Sequence, residues 1–294
     1  MSEAVVAVDL GGTRIRIGIA PRDDPASVQL LGEWPAPADR EAFLSRLLAE
    51  IAQRGVTRLG IGVPGLAEGT TCRWVPNLSY LDGFDLAASF PSVEIALGND
   101  AQLTLLGEAS AGAAADLSDA ILVAIGTGIG SAVLADGRIV AGSHGGACSF
   151  GWAAADLADF GGDTSGWLER HSSGRALDHI AATMGLPDAS ALIARTKTGD
   201  RATTAALASP MRALGVALAG AVALLDPDAI VIGGGLAASF DAIAPLIRAP
   251  LIERLPPHMR GVELRAARFG ARAGLVGAAF AGAFGAGWRR RGRP

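Results

Sequence analysis

Lysine is almost absent: Lys197 is the only one in 294 residues. A phosphate loop of the GxxxxGK[ST] type places its lysine on the nucleotide, so that class of ATP site is excluded. Cysteine is nearly as scarce. Cys72 and Cys148 lie far apart and no CxxC occurs, which argues against a cysteine-rich zinc module or a disulfide framework. Reduced thiols and a cytoplasmic location fit best. The leading MSEA enters an apolar strand with neither a basic segment nor a cleavage site, so no signal peptide is predicted. No membrane span is predicted either. The nearest candidate, MRALGVALAGAVALL at 211–225, reads as a buried helix. A net charge of −4 gives no reason to expect a nucleic-acid partner, and the short basic WRRRGRP at the end reads as a frayed tail.

Glycine and apolar residues are what the chain has in quantity. Half of it is hydrophobic and 40 residues are glycine, which predicts a sizeable core with many tight turns. At roughly 150 residues per domain the length suits one large or two ordinary domains. AVVAVDL (4–10), a GGT turn and the alternating RIRIGIA read as strand, turn and strand. AILVAIGTGIGSAVLADGRIV (120–140) repeats that plan and implies two similar half-domains. Between them the spacing predicts a helix near 40–53, strands at 58–63 and 93–97, and a helix over 100–111. Helices are predicted at 165–183, 188–196, 211–225, 240–254 and 270–284, with strands at 229–235 and 262–267. Mixed strands and helices make the chain α/β.

Several of these turns carry chemistry. A glycine turn offers backbone N–H groups to phosphate oxygens with no side chain in the way. GTGIG lacks the helix that a dinucleotide fingerprint requires, since the β-type SAVLADGRIV follows it. Two like hairpins, one of them ending a strand on Asp9, point instead to a nucleotide triphosphate. Asp9 is placed to order the waters of a phosphate-bound Mg²⁺, or else to cap its own turn. In LGNDAQLTLLGE (97–108), Asn99 or Asp100 caps the helix that follows. A carboxylate there is kept ionised by the helix N-terminus and is available as a general base. Asn77 in VPNLSY suits a polyol or a plain turn, and Glu169 is a ligand candidate or a solvated helix residue.

VVAVDLGGTRIRIGIA, GIGVPG, PNLSY, GNDAQ, ILVAIGTGIG and DAIVIGGGL, in that order, resemble the ROK family of sugar kinases and sugar-responsive repressors over nearly the whole chain. The resemblance implies a two-lobed actin/hexokinase-like (ribonuclease H-like) ATPase fold. One lobe covers 1–114 with the terminal helix from about 270, and a larger lobe covers 115–269. It implies that Asp9, Gly11, Gly12, Thr13, Arg14, Gly126, Thr127 and Gly128 serve the phosphates of ATP and its Mg²⁺, and that Gly233, Gly234 and Gly235 line the adenosine side. Asp100 becomes the catalytic base. Gly65, Asn77, Asn99, Asp100, Ser149, Trp152 and Glu169, the last within WLE, fall at sugar-facing positions. The chain begins at the first phosphate strand, without the repressors' DNA-binding domain, so the kinase branch is implied, acting on a small sugar or polyol and forming a homodimer by family habit. A non-catalytic sensor and an actin-fold ATPase or acyl-phosphate kinase are the competing readings.

Two motifs depart from the family. CSFGW stands where family kinases commonly carry GEIGH, so Ser149 replaces a sugar-binding glutamate and Trp152 a histidine that touches sugar and zinc. The zinc pattern CxCGxxGC falls on FGGDTSGW, with Phe160, Gly162 and Trp167 at the cysteine positions. Trp152 and Trp167 are expected to fill the space by apolar packing. Protein purified in metal-free buffer is predicted to carry no stoichiometric zinc by elemental analysis.

Overall fold

The computed structural model describes residues 3–159, 161–162 and 164–290. In chain order the elements are β1 (Ala4–Leu10), β2 (Arg14–Pro21), β3 (Gln29–Pro35), α1 (Arg40–Arg54), β4 (Arg58–Val63), β5 (Leu66–Glu68), β6 (Thr71–Trp74), β7 (Phe84–Asp85), β8 (Glu94–Asn99) and α2 (Asp100–Ala111). They continue with β9 (Ala120–Ile125), β10 (Ile129–Ala135), β11 (Arg138–Ile139), α3 (Trp167–Ser172), α4 (Gly174–Thr183), α5 (Ala189–Lys197), α6 (Arg201–Leu225), β12 (Ala229–Gly233), α7 (Phe240–Glu253), β13 (Glu263–Ala266) and α8 (Ala273–Phe284).

The chain divides into two units. Met1–Ser118, Val133–Ala147 and Ala271–Pro294 form the first; Asp119–Ala132 and Cys148–Gly270 form the second. The lobe predicted over 115–269 therefore differs by the segment 133–147. That segment holds β11, which pairs with the end of β10 (Leu134 opposite Ile139) and whose Ile139 N–H donates to the Arg289 carbonyl at 2.8 Å.

In the first unit the main sheet has the order β3-β2-β1-β4-β8. β1, β2 and β3 pair antiparallel, while β1, β4 and β8 run parallel. The parallel strands β1, β4 and β8 are buried along most of their length, as strands covered on both faces are, while β2 alternates and β3 is partly exposed. α1 starts on Asp39, whose carboxylate accepts from Ala42 N–H at 2.8 Å, ends at Gly55 with φ +60°, and buries Phe43 and Leu47. The opposite contribution comes from α8, AGLVGAAFAGAF, in which ten of twelve residues are buried, so it is a core helix rather than an amphipathic one. Small residues let its backbone touch its neighbours directly. A Cβ on Gly277 would stand 1.7 Å from the Leu103 carbonyl oxygen of α2, and one on Gly60 of β4 would stand 1.8 Å from the Ala278 carbonyl oxygen. The tail read as frayed is anchored through Arg290. Trp288 is 2 % exposed and packs its indole on Gly98, because glycine there leaves room for the ring. Residues 291–294 lie outside the described residues.

In the second unit β10, β9, β12 and β13 lie side by side in that order, with β9, β12 and β13 parallel. The predicted repeat is therefore visible as the same plan twice, a hairpin strand beside parallel strands. The helix predicted over 165–183 is two helices. The chain is extended at Ser173 (φ −74°, ψ 167°), whose hydroxyl accepts from Ala176 N–H at 3.3 Å to cap α4. The helix predicted at 211–225 begins ten residues earlier, capped by Asp200 through Ala202 and Thr203 N–H, and runs through Pro210. By length and composition, Arg201–Leu225 and Gly235–Glu253 are each apolar enough to cross a membrane. Within this unit α6 and α7 pack on each other so closely that a Cβ on Gly215 would stand 2.5 Å from the Ile247 carbonyl oxygen.

Gly277→Ala is predicted to destabilise the protein by about 3 kcal/mol or more, the upper end of overpacking costs, because the obstacle is backbone. Gly287→Ala, where a Cβ meets nothing within 4 Å, should change stability by less than about 0.5 kcal/mol. Chemical denaturation of both variants checks the pair.

Candidate active site

In the first unit, β1 delivers Asp9 to the start of the glycine turn. Its Oδ2 accepts from Arg16 Nη1 at 3.3 Å across the hairpin, and Arg16 Nε also donates to Glu33 Oε2 at 2.6 Å. The other oxygen, Oδ1, has no hydrogen-bond partner among the described residues. It lies where a Cβ on Gly274 of α8 would come within 2.7 Å, so only glycine admits the carboxylate. Burial raises the Asp9 pKa, and the Arg16 charge opposes the rise. Arg14 pairs with Glu33 and is exposed, as is Thr13.

The turn itself is closed by Gly11 N–H donating to the Arg14 carbonyl at 2.8 Å. Gly12 lies flat against Asn77: a Cβ there would meet the Asn77 side chain at 3.0 Å. Asn99 is the cap of α2. Its Oδ1 accepts from Ala101 N–H at 3.0 Å and Gln102 N–H at 3.3 Å, while Nδ2 donates to the Gly65 carbonyl at 3.1 Å. Gly65 is itself pressed against the Trp74 carbonyl oxygen, 2.2 Å from where a Cβ would be. Asn99 thus spends most of its hydrogen-bonding capacity on the fold, leaving one Nδ2 hydrogen.

Asp100 opens α2, half-buried, with Oδ1 accepting from Ala101 N–H at 2.8 Å. Its carboxyl is pushed up to about 7, first by burial and then by the charge of Asp9, against the hydrogen bonds at the helix start. The sequence expectation that the helix N-terminus keeps this carboxylate ionised is corrected here. Loss of water and a neighbouring carboxylate outweigh the helix end.

In the second unit, the Gly126 N–H donates to the Gly128 carbonyl at 3.0 Å, and α4 is tied to the same turn by Gly174 N–H donating to the Gly126 carbonyl at 2.8 Å. A cavity of about 340 Å³ opens beside the turn, lined by Gly126, Thr127, Gly235, Leu236 and Ser239 among others. Of the three glycines predicted on the adenosine side, only Gly235 reaches it. Gly233 is buried in β12, and Gly234 (φ +72°) backs onto the Ile125 carbonyl at 2.4 Å from a notional Cβ. Glu169 Oε2 accepts from Ile129 N–H at 3.0 Å and lies 2.6 Å from where a Gly128 Cβ would be. The glutamate therefore supports the hairpin as well as standing beside it.

The CSFGW loop is pinned to β10 by buried Ser131, whose hydroxyl donates to the Cys148 carbonyl and accepts from Phe150 N–H at 3.0 Å. Cys148 takes φ +69°, a left-handed conformation that side chains other than glycine rarely adopt. Ser149 and Trp152 are exposed, Trp152 by 53 %, and neither lines the 340 Å³ cavity. The expectation that both tryptophans fill vacated space is therefore half right. Trp167 is 7 % exposed and stacks on His171 at 4.3 Å, whereas Trp152 follows a short turn that carries its ring to the surface. Neither an indole nor the bare Gly162 can ligate zinc; Phe160, at the remaining cysteine position, lies outside the described residues. Among the described residues no three His, Cys, Asp or Glu side chains gather as a metal site.

Two residues at these sites were not singled out in the sequence. Arg16 was signalled by its place on the polar face of an alternating strand. Arg175, which also lines the 340 Å³ cavity, carried no local signal, because only the docking of α4 on the turn brings it there.

The doubled plan of hairpin and parallel strands is that of the actin/hexokinase-like class. The ROK family model matches residues 5–281, and the chain belongs to that family. An N-acetyl-D-glucosamine kinase of Salmonella heidelberg (strain SL476) is 30 % identical over 305 residues, covering 92 % of this chain and 97 % of its own. Among solved structures, the ROK hexokinase from Thermus thermophilus is 28 % identical with a TM-score of 0.75, covering 96 % of this chain and 98 % of that one. A ROK glucokinase from Streptomyces griseus, in complex with glucose and AMPPNP, is 25 % identical with a TM-score of 0.77, covering 94 % and 98 %.

Cys148→Gly is predicted to stabilise the protein by about 1 kcal/mol by relieving the left-handed backbone. Cys148→Ala keeps the conformation and should bring no gain. Thermal unfolding of the two variants checks this.

Proposed function

We propose that this chain transfers the γ-phosphoryl group of MgATP to a hydroxyl of a sugar or polyol, with Asp100 accepting the hydroxyl proton. The chain is a carbohydrate kinase of the ROK family, a reading that rests on its named kinase relatives. The observation that carries the finer reading is the pairing of two carboxylates in the first unit, Asp100 at the start of α2 and Asp9 at the glycine turn. They are close enough for the charge of one to raise the other. A base whose pKa lies near 7 is matched to taking a proton from an alcohol as it attacks phosphorus.

The other roles follow from the local chemistry. The N–H groups of Gly11–Thr13 and Gly126–Gly128 serve the phosphates, and Gly235 with Leu236 serves the nucleoside end through the 340 Å³ cavity. Asp9 Oδ1, unpaired among the described residues, would face the water shell of a nucleotide-bound Mg²⁺, which would supply charge neutralisation at the transferring phosphoryl group. Asn77 and the remaining Nδ2 hydrogen of Asn99 hold sugar hydroxyls. Arg16 keeps Asp9 oriented.

The acceptor is a sugar or polyol with a less polar group at the end served by Ser149 and Trp152. A hydroxyl and an exposed indole replace an acid and an imidazole there. Sites built on hydrogen bonds discriminate through the groups they would leave unpaired, and this one has fewer of them. The deciding measurement is ADP release from MgATP across a broad panel of sugars and polyols, including glucose and N-acetylglucosamine. Sugar-dependent release supports the reading. Sugar binding without turnover would favour a sensor, and release without any sugar an ATPase.

Asp100→Asn should lower kcat by roughly 10²- to 10⁴-fold with sugar affinity largely kept. In the wild type, kcat/KM should rise with pH and level off above about 7, as Asp100 loses its proton. The same shift has a stability consequence. Because the folded carboxyl holds its proton to higher pH than the unfolded one, raising pH from the ordinary carboxylate range through about 7 costs stability. Asp100→Asn should therefore raise Tm at pH 8 by more than it does at pH 5.

A further inference from the structure

The second unit holds another and larger cavity, of about 950 Å³, bounded by α3, α4, α6 and Arg254. It shares Thr127 and Arg175 with the 340 Å³ cavity and extends away over the helices. Its polar lining includes Asp156, Glu169, Arg170 and His171 together with Arg175, His179, Arg212 and Arg254; the last four are exposed, and none of their side chains has a hydrogen-bond or ion-pair partner among the described residues. Trp167 is 7 % exposed, lines the cavity, and its buried Nε1–H has no partner among the described residues.

Two acids line the cavity as well, each accepting from a backbone N–H. Glu169 is held by Ile129 N–H, and Asp156 Oδ1 accepts from Ala158 N–H at 2.9 Å. Arg170, also on the wall, is already paired with Asp159 at 3.0 Å. His171 Nδ1 is within 2.7 Å of the Trp167 carbonyl, which fixes both rings. The floor is apolar, with Ile180, Pro210, Ala213 and Val216. The volume lies at the upper end of small-molecule sites. Three exposed arginines without an ion-pair partner among the described residues, Arg175, Arg212 and Arg254, with His179 beside them, give this lining a cluster of donors suited to phosphate oxygens.

We propose that this cavity binds a small anion carrying several phosphate charges. The site adjoins the proposed nucleotide site, sharing Thr127 and Arg175 with the 340 Å³ cavity, but it needs neither Asp100 nor a sugar. Two sources share that chemistry: a linear inorganic oligophosphate, or an organic scaffold bearing two phosphates, whose carbon skeleton would lie on the apolar floor.

Calorimetric titration of the full chain, with sodium tripolyphosphate, fructose 1,6-bisphosphate and orthophosphate as probes, tests this. One of the first two should bind at least tenfold tighter than orthophosphate, and which one does so distinguishes the sources. Arg212→Ser with Arg254→Ser should weaken that binding by roughly tenfold per arginine removed. Arg212→Lys with Arg254→Lys, which keeps the charge, should lose much less, and the KM for MgATP should be unchanged in both double variants. The proposal is overturned if neither probe outbinds orthophosphate, or if the serine variant binds as the wild type does. Because the readout is binding, a chain that phosphorylates no sugar at all could still pass it.

Discussion

Direct backbone contact between α8 and its neighbours is the constraint on which the first unit depends. Gly277 meets the Leu103 carbonyl of α2, Gly60 of β4 meets the Ala278 carbonyl, and Gly274 makes room for the Asp9 carboxylate. A helix of ordinary leucines would hold α2 several ångströms further out. The start of α2, with Asn99 and Asp100, would move with it. The small-residue face is thus both packing and positioning: the helix that fills the core also fixes where two carboxylates stand.

Those carboxylates show what the fold does to side chains. Asp9 lies in β1 and Asp100 opens α2 directly after β8 of the same sheet, and neither has a full set of partners. Asp9 is steadied by Arg16, itself shared with Glu33, while Asp100 is held by N–H groups of its own helix. The outcome is a pair whose pKa values are raised by burial and, at Asp100, by the other's charge.

Much of this was legible in the sequence. The paired strand–turn–strand runs placed both hairpins, and Asn-Asp before LTLLGE marked the start of α2. The order of six motifs carried the family. What escaped depended on packing. Ser173 interrupts a helical pattern because its hydroxyl caps the next helix. Pro210 looks like a boundary yet sits inside α6. The anchoring of Trp288 rests on Gly98, 190 positions away in sequence. The raised state of Asp100 needed burial and a neighbour that no local pattern reveals. Arg175 and the cation-lined cavity needed α4 and α6 side by side.

The position of α8 in the chain has a consequence for biogenesis. The first unit draws its strands from the opening of the sequence but its central helix from residues 273–284, after the whole of the second unit. During synthesis, the sheet of β1, β2, β4 and β8 therefore leaves the ribosome with the face meant for α8 still bare, and stays so while some 160 residues are added (Asp119 to Gly270 spans most of them). The second unit is able to complete itself first, although it emerges later. A chain cut short before α8 would leave an apolar sheet exposed, and such a product is a natural client for chaperones and proteases rather than a partly active enzyme.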